Sequence, residues 1–357
     1  MNNLDDLQTI KKLDKEGVLE SIELFPQQCL QVLQETKKLK LSSLKNKIAN
    51  IIVSGMGGSA FSVEIIKTLF ADEIKVPLEI VRDYHLPKYV DEQTLVLAVS
   101  YSGTTAETLS CAQEALAKNS KLLILANNGE LANYLNQKNV FGYVFKEKYN
   151  PCHQPRTGTG YLVCGALGLL IKSGLIEVSF SGIEKSVKNL FNQYQQNIPL
   201  QKNKTKQMSL KLKDKFVLLV SSEFLNGAIH GFANQLNENA KANSTFHYIP
   251  ELNHHRMEGL GFPKEFKKLS IFLFYLSDLY DRANQIRYKI TQKVIEKNGY
   301  QVLDYKVVGK DKVSQAFNTI IFNAYVSFYL AILNNVNPNK IPWVDYFKEE
   351  LRKLNFG

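Results

Sequence analysis

No strictly apolar run in this sequence reaches the ~18–20 residues that a membrane-spanning helix needs. The longest non-polar stretch, Tyr161 to Ile171, is stopped by Lys172, so no membrane association is expected. Cysteine is scarce. The four present, Cys29, Cys111, Cys152 and Cys164, form no CxxC pair and no metal-like spacing. That argues against a disulfide framework or a zinc site and fits reduced thiols in the cytoplasm. The opening Met-Asn-Asn-Leu-Asp-Asp has neither a basic n-region nor an apolar h-region, so no signal peptide is expected. Without secretion the Asn243-Ser244-Thr245 glycosylation triplet carries no meaning. Low-complexity tracts and close internal repeats are also missing.

What remains is an ordinary globular composition over 357 residues, which suggests about two domains. Hydrophobic residues make up 45% and charged residues 22%, which excludes wholesale disorder. Lys and Arg number 44 against 34 Asp and Glu, a formal net charge of +10. A basic balance admits nucleic acid, an anionic membrane or a phosphorylated small molecule, and does not choose among them. No nucleic-acid-binding motif accompanies it.

The segment up to Lys47 reads as helical, with Leu24-Phe25-Pro26 breaking the pattern. Strand-like runs follow at Asn50–Ser54, Leu78–Val81, Thr94–Val99, Lys121–Ala126 and Tyr143–Phe145, several of them separated by helical patterns. A polar helix is expected from Ile183 to Gln201, and the basic Lys202–Gln207 segment is the best candidate for a domain boundary. The alternation then restarts. Strands are expected at Phe216–Val220, Thr245–Ile249, Leu269–Tyr275 and Gln301–Val308, and helices at Leu225–Ala242, Asp278–Lys297, Ser314–Leu333 and Trp343–Leu354. Such alternation implies parallel sheets covered by helices on both faces.

Two motifs carry chemistry. Gly55-Met56-Gly57-Gly58-Ser59-Ala60 joins a strand to a helix, where backbone N–H groups and the helix N-terminus favour an anion. The same letters fit a dinucleotide fingerprint, with Asp83 as a ribose-binding acid, or a purely structural tight turn. The second motif, Ser100-Tyr101-Ser102-Gly103-Thr104-Thr105, gathers four hydroxyls around one glycine at another strand-to-helix junction. Helix capping accounts for one hydroxyl, not four. Hydroxyls with backbone N–H groups suit a phosphate monoester, and dinucleotide folds have no need of this cluster.

Together these motifs resemble the sugar isomerase (SIS) domain, and most closely the bifunctional phosphoglucose/phosphomannose isomerase family. The resemblance extends through Pro155-Arg156, Glu238-Asn239-Ala240-Lys241, Pro250-Glu251-Leu252-Asn253-His254 with Glu258-Gly259, and Asn337-Pro338 with Lys348 and Leu351. It covers about residues 45 to 354. Three departures stand out. Thr104 replaces a frequent Asn, Asn127-Asn128-Gly129 replaces Ser-Gly-Gly, and His255 follows His254 where Asn is usual.

The resemblance implies two tandem SIS domains of a flavodoxin-like three-layer αβα type. Residues 1–200 would hold the N-terminal helices and the first domain, and residues 201–357 the second domain with a C-terminal helix. It implies an enzyme interconverting glucose 6-phosphate or mannose 6-phosphate with fructose 6-phosphate through a cis-enediol, without cofactor or metal. Gly57, Gly58, Ser59, Ser100, Ser102 and Thr105 would anchor the phosphate. Glu238 would move the proton between C1 and C2, because a carboxylate can take and return a carbon-bound proton. His254 would open the sugar ring, Arg156 would stabilise the enediolate, and Lys348 would bind substrate oxygens or assist ring opening. The active site is expected in the cleft between the domains. In similar enzymes the histidine comes from a neighbouring subunit, which implies a cytoplasmic homodimer with composite sites. Non-catalytic sugar-phosphate sensing and a different sugar-phosphate isomerase are the alternatives.

Overall fold

The structure is a computed structural model describing residues 4–45, 47–137, 140–190 and 193–354. Two compact units divide the chain, one of Met1–Glu23 with Asn189–Lys340 and one of Leu24–Lys188 with Ile341–Gly357. The division expected from the sequence ran 1–200 and 201–357.

The chain opens with α1 (Leu7–Leu13), whose first turn is capped by the Asp6 carboxylate, and α2 (Val18–Glu23). The next helix, α3 (Phe25–Lys37), contains the proline expected to break the pattern. Pro26 instead lies in the first turn, where its missing N–H removes no helical bond. Residues 38–45 and 47–49 are not helical, and Asn46 lies outside the described residues.

The larger sheet is built from β1 (Asn50–Ser54), α4 (Gly57–Leu69), β2 (Leu78–Val81), β3 (Thr94–Ser100), α5 (Ala106–Ala117), β4 (Lys121–Ala126), α6 (Glu130–Asn133) and β5 (Val140–Val144). Two further helices, α7 (Thr159–Lys172) and α8 (Phe180–Lys188), complete that part of the chain. All five strands are parallel, in the order β2-β1-β3-β4-β5. Every residue of β3 is buried, which is why Thr94–Ser100 reads as a continuous apolar run instead of an alternating one. On one face Cys111, Ala112 and Ala115 of α5 pack with Ile52, Val96 and Ile124. The opposite side holds α7, packed against both α3 and α4. The expected polar helix from Ile183 to Gln201 begins earlier and is shorter, ending with α8 at Lys188; Phe191 and Asn192 lie outside the described residues.

The second unit continues with α9 (Lys204–Leu212), β6 (Phe216–Ser222), α10 (Asn226–Ala240), β7 (Ser244–Ile249), α11 (Leu252–His255), α12 (Phe266–Leu269), β8 (Ser270–Leu276), α13 (Arg282–Lys297), β9 (Gln301–Lys306) and α14 (Lys312–Leu333). Its sheet is also parallel, in the order β7-β6-β8-β9. The Lys202–Gln207 segment expected as a boundary holds the start of α9. Asn203 caps it, and Lys206 is fully buried. The Lys206 ammonium lies 2.8 Å from Asp5 Oδ1, 2.8 Å from Gln196 O and 2.9 Å from Ile198 O, so its donors are satisfied inside the unit.

With 22 residues α14 is long and apolar enough to cross a membrane, yet its apolar window is entirely buried within the protein. It packs against α1, α2, α9 and α10. No strict apolar run flagged it, because Asn318, Asn323 and Ser327 interrupt the pattern; Asn318 donates to Val308 O and Ser327 accepts from Asn239. The last helix, α15 (Pro342–Lys353), buries none of its residues and leaves Trp343 82% exposed.

Candidate active site

Both hydroxyl-bearing motifs sit at the carboxyl ends of β1 and β3, which are neighbours in the sheet. The chain leaves β1 for β2 on one side and then returns to β3 on the other. Connections diverge at such a switch point and leave a crevice, the usual ligand position in an open α/β sheet. The helices that follow these strands, α4 and α5, begin without a side-chain cap. Their uncapped N-termini therefore add positive dipole ends to the crevice.

The hydroxyls are held in place by one another and by backbone. Ser100 Oγ lies 2.9 Å from Thr105 Oγ1 and accepts from Gly103 N at 3.0 Å. Ser59 Oγ accepts from Tyr101 N at 3.2 Å, which ties the first motif to the second. Ser102 is exposed and accepts from the Thr104 hydroxyl at 3.1 Å. This loop crosses the following one at two glycines. A Cβ on Gly103 would lie 1.6 Å from Asn128 O, and a Cβ on Gly129 would lie 2.4 Å from Ser102 O. Both residues have positive φ, +70° and +80°, so glycine is demanded by space and by backbone conformation. The Asn127-Asn128-Gly129 departure therefore retains the glycine that this crossing requires of the second loop.

Arg156 approaches the same place. A Cβ on Gly58 would meet Pro155 Cβ at 3.3 Å and Arg156 N at 3.6 Å, so the Pro-Arg turn packs directly on the first turn of α4. Arg156 is 1% exposed, not the ordinary surface arginine that an isolated Arg usually is, and its Nη1 donates to Gln154 Oε1 at 2.7 Å. Ser59, Ser100, Ser102, Thr105, Gly57, Gly58 and Arg156 are thus brought together within one unit. Lys348 lies on the exposed face of α15.

Glu238 and His254 belong to the other unit. Glu238 is half-buried in the last turn of α10. Lys241, in a left-handed conformation at the helix end, donates to the carbonyls of Glu238, Asn239 and Asn337 at 2.9, 3.2 and 2.7 Å. His254 is exposed on α11, beyond the end of β7. Asn253 beside it donates to Thr291 Oγ1 at 2.7 Å, which pins α11 to α13. The two candidate catalytic groups are not brought together within this unit. Helix α10 runs antiparallel to β7, since Ser244 Oγ at the strand's start donates to Ala233 O, and Tyr248 Oη near its end donates to Asn226 O. Glu238 therefore lies at the amino edge of the sheet and His254 at the carboxyl edge, roughly 20 Å apart at ~3.3 Å per strand residue. The antiparallel return of α10 thus puts the length of a strand between these two residues of one chain.

The equivalent crevice of this second sheet, between β6 and β8, is filled. Phe224 and Tyr280 pack there with ring centroids 5.4 Å apart, and Glu223 accepts from Asp281 N and from Asn284. An acid and two aromatic rings thus occupy the place that hydroxyls and glycines take at the first sheet.

Comparison with known proteins agrees with this architecture. Residues 44–138 match the SIS domain, and residues 201–351 match the bacterial phospho-glucose isomerase C-terminal SIS domain. The bifunctional phosphoglucose/phosphomannose isomerase of Thermoplasma acidophilum is 27% identical over 329 residues, covering 90% of this chain and 98% of that one. A hypothetical protein of Thermus thermophilus superposes with a TM-score of 0.70 at 15% identity, covering 98% of this chain and 94% of that one, which bears on the fold alone. The bifunctional phosphoglucose/phosphomannose isomerase of Caldicellulosiruptor bescii is 32% identical over 343 residues, 94% of this chain and 99% of that one. With matches that span both sheets, the chain belongs to the bifunctional phosphoglucose/phosphomannose isomerase family.

Proposed function

We propose that the protein is an aldose–ketose isomerase that interconverts glucose 6-phosphate or mannose 6-phosphate with fructose 6-phosphate through a cis-enediol. The observation that carries this reading is the β1/β3 crevice, where hydroxyls, uncapped helix N-termini and the Arg156 turn converge. Such a lining matches a phosphate dianion attached to a small polar body.

Ser59, Ser100, Ser102 and Thr105, with the Gly57–Gly58 backbone, hold the phosphate, and the binding energy of that remote group orients the reacting carbons. The Glu238 carboxylate removes the proton from C2 of the open-chain aldose phosphate and returns it to C1. General-base transfer of this kind contributes about 10²–10⁴ in rate. Negative charge accumulates on the enediolate oxygens in between. Arg156 keeps its charge at any working pH, and a buried guanidinium acts on that charge through a low-dielectric surround. His254 takes and returns the hydroxyl proton that opens the ring, and Lys348 binds substrate oxygens. No cofactor or metal has a part in this chemistry.

The protein works as a cytoplasmic homodimer in which His254 of one copy serves the Glu238 site of the other. Two observations support this. Glu238 and His254 stand at opposite edges of one sheet, and large apolar side chains remain exposed, among them Trp343 at 82%, Phe262 at 77% and Phe347 at 61%. The net charge of +10 attracts a dianionic substrate in general and recognises no polymer.

The test is a coupled assay of fructose 6-phosphate formation from each aldose phosphate. The reading expects turnover of at least one, inhibited competitively by inorganic phosphate. Sugar-phosphate binding without turnover of either would replace it with a sensing role.

A further inference from the structure

Tyr101 lies between two proposed phosphate-binding serines, but its side chain turns away from them into the interior, where it is 5% exposed. Its hydroxyl donates to the Glu147 carboxylate. Asn150 Nδ2 lies 2.7 Å from the Tyr101 oxygen, 2.8 Å from Glu147 Oε1 and 3.0 Å from Gln154 O. Gln154 in turn accepts from Arg156 Nη1 at 2.7 Å. The Tyr101 ring also fills the space beneath the Arg156 turn, for a Cβ on Gly158 would lie 2.3 Å from it. A contiguous chain of contacts therefore runs from the hydroxyl loop, through Tyr101, Glu147, Asn150 and Gln154, to the guanidinium.

We infer that Tyr101, held by Glu147 and Asn150, is a positioning residue that fixes Arg156 relative to the phosphate loop. The inference rests on the isomerase reading of this site. It deepens that reading by naming what sets the spacing between the phosphate anchor and the charge that faces the enediolate. A phosphate clamp and a remote charge cooperate only if their separation matches the substrate, and a misplacement of about 1 Å costs on the order of 100-fold in rate. Burial, and then the Glu147 carboxylate, push the Tyr101 hydroxyl far above the ordinary phenol range, so it remains a donor at every working pH. Neither Glu147 nor Asn150 is visible as a partner in the sequence, because they lie 46 and 49 residues beyond Tyr101.

The experiment uses the full-length protein with two variants, Tyr101→Phe and Asn150→Ala. Tyr101→Phe keeps the ring under Gly158 and removes only the hydroxyl. Asn150→Ala breaks the links to Gln154 and to the Tyr101 hydroxyl while leaving every residue of the phosphate loop unaltered. The expected result in each is a kcat lowered by about 10-fold or more, with the inhibition constant for inorganic phosphate within about 2-fold of the parent. The double variant is expected to lose no more than either single one, because the two residues act in one chain. An unchanged kcat in either folded variant overturns the inference, and so does a parallel loss of phosphate affinity and kcat, which marks a merely structural role. If the unaltered protein turns over neither aldose phosphate, the isomerase reading itself falls, an outcome read before any variant is made.

Discussion

Replacing Gly103 by alanine tests the crossing of the two phosphate-side loops. The added Cβ would lie 1.6 Å from Asn128 O, and real Cβ contacts essentially never fall below 3.0 Å, so the loops must part by at least about 1.4 Å. The obstacle is backbone on both sides, since the next atoms are Asn128 C at 2.6 Å and Gly129 Cα at 3.1 Å, and no flexible side chain can yield. A left-handed φ of +70° adds roughly 1–2 kcal/mol for a residue with a Cβ. With the bond from Leu131 N to Gly103 O strained as well, the expected loss is about 2–4 kcal/mol, within the range of strained-backbone substitutions. Function suffers more. Gly103 N holds Ser100 Oγ at 3.0 Å, so a shift above 1 Å displaces the hydroxyls from the phosphate proposed to bind there, and kcat/KM is expected to fall by about 100-fold. Gly57 is the stability control. Its φ is +46° but a Cβ there meets nothing within 4 Å, so alanine costs only the conformational ~1–2 kcal/mol. The assays are urea unfolding for both variants, and kcat/KM with inorganic-phosphate inhibition for Gly103→Ala. A Gly103→Ala protein as stable as Gly57→Ala, or with parental phosphate inhibition, would refute the reasoning.

Two further predictions concern the second unit. Burial, then the positive charges of Arg256 and His255, lower the pKa of His247 from 6.5 to about 4, and its Nε2 has no hydrogen-bond partner among the described residues. The folded state keeps this ring neutral while the unfolded chain protonates below 6.5, so its contribution is complete above pH 6.5 and is lost progressively down to about pH 4. His247→Asn should flatten that part of the urea-midpoint profile against pH, and an unaltered slope would contradict the assignment. Lys206→Met leaves Asp5 and two carbonyls without their shared donor. It should cost about 2–4 kcal/mol, discounted because the Asp5 side chain is 32% exposed; a loss below 0.5 kcal/mol, a threshold set by the usual scatter of surface substitutions, would show that the buried ammonium contributes little.

These cases also show what the amino-acid order could and could not convey. The parallel strands were legible because buried β1, β3, β4, β6 and β8 are continuous apolar runs, and the hydroxyl cluster was legible because it is local in sequence. Edge strand β5 was displaced to Val140–Val144 from the expected Tyr143–Phe145, since only part of its pattern is apolar. Lys206 read only as part of a basic boundary segment, for nothing near it in sequence announces Asp5, its carboxylate partner 201 positions away. Arg156 was singled out only by the resemblance, and its burial beside the α4 turn is a property of the fold that its neighbours in sequence do not announce. The separation of Glu238 from His254 was implied only by the resemblance, which gives the histidine to a neighbouring subunit, and not by their spacing. They are only 16 positions apart in number, and only the antiparallel return of α10 puts a strand's length between them.

The central claim is proton transfer by Glu238, and isomerisation in D2O followed by proton NMR tests it most directly. The parent protein should incorporate solvent deuterium at the carbon that exchanges its proton while fructose 6-phosphate forms. Glu238→Gln should lower both turnover and exchange by about 10²–10⁴, with inorganic-phosphate inhibition unchanged because the β1/β3 crevice is untouched. Parental turnover and exchange in Glu238→Gln would contradict the account.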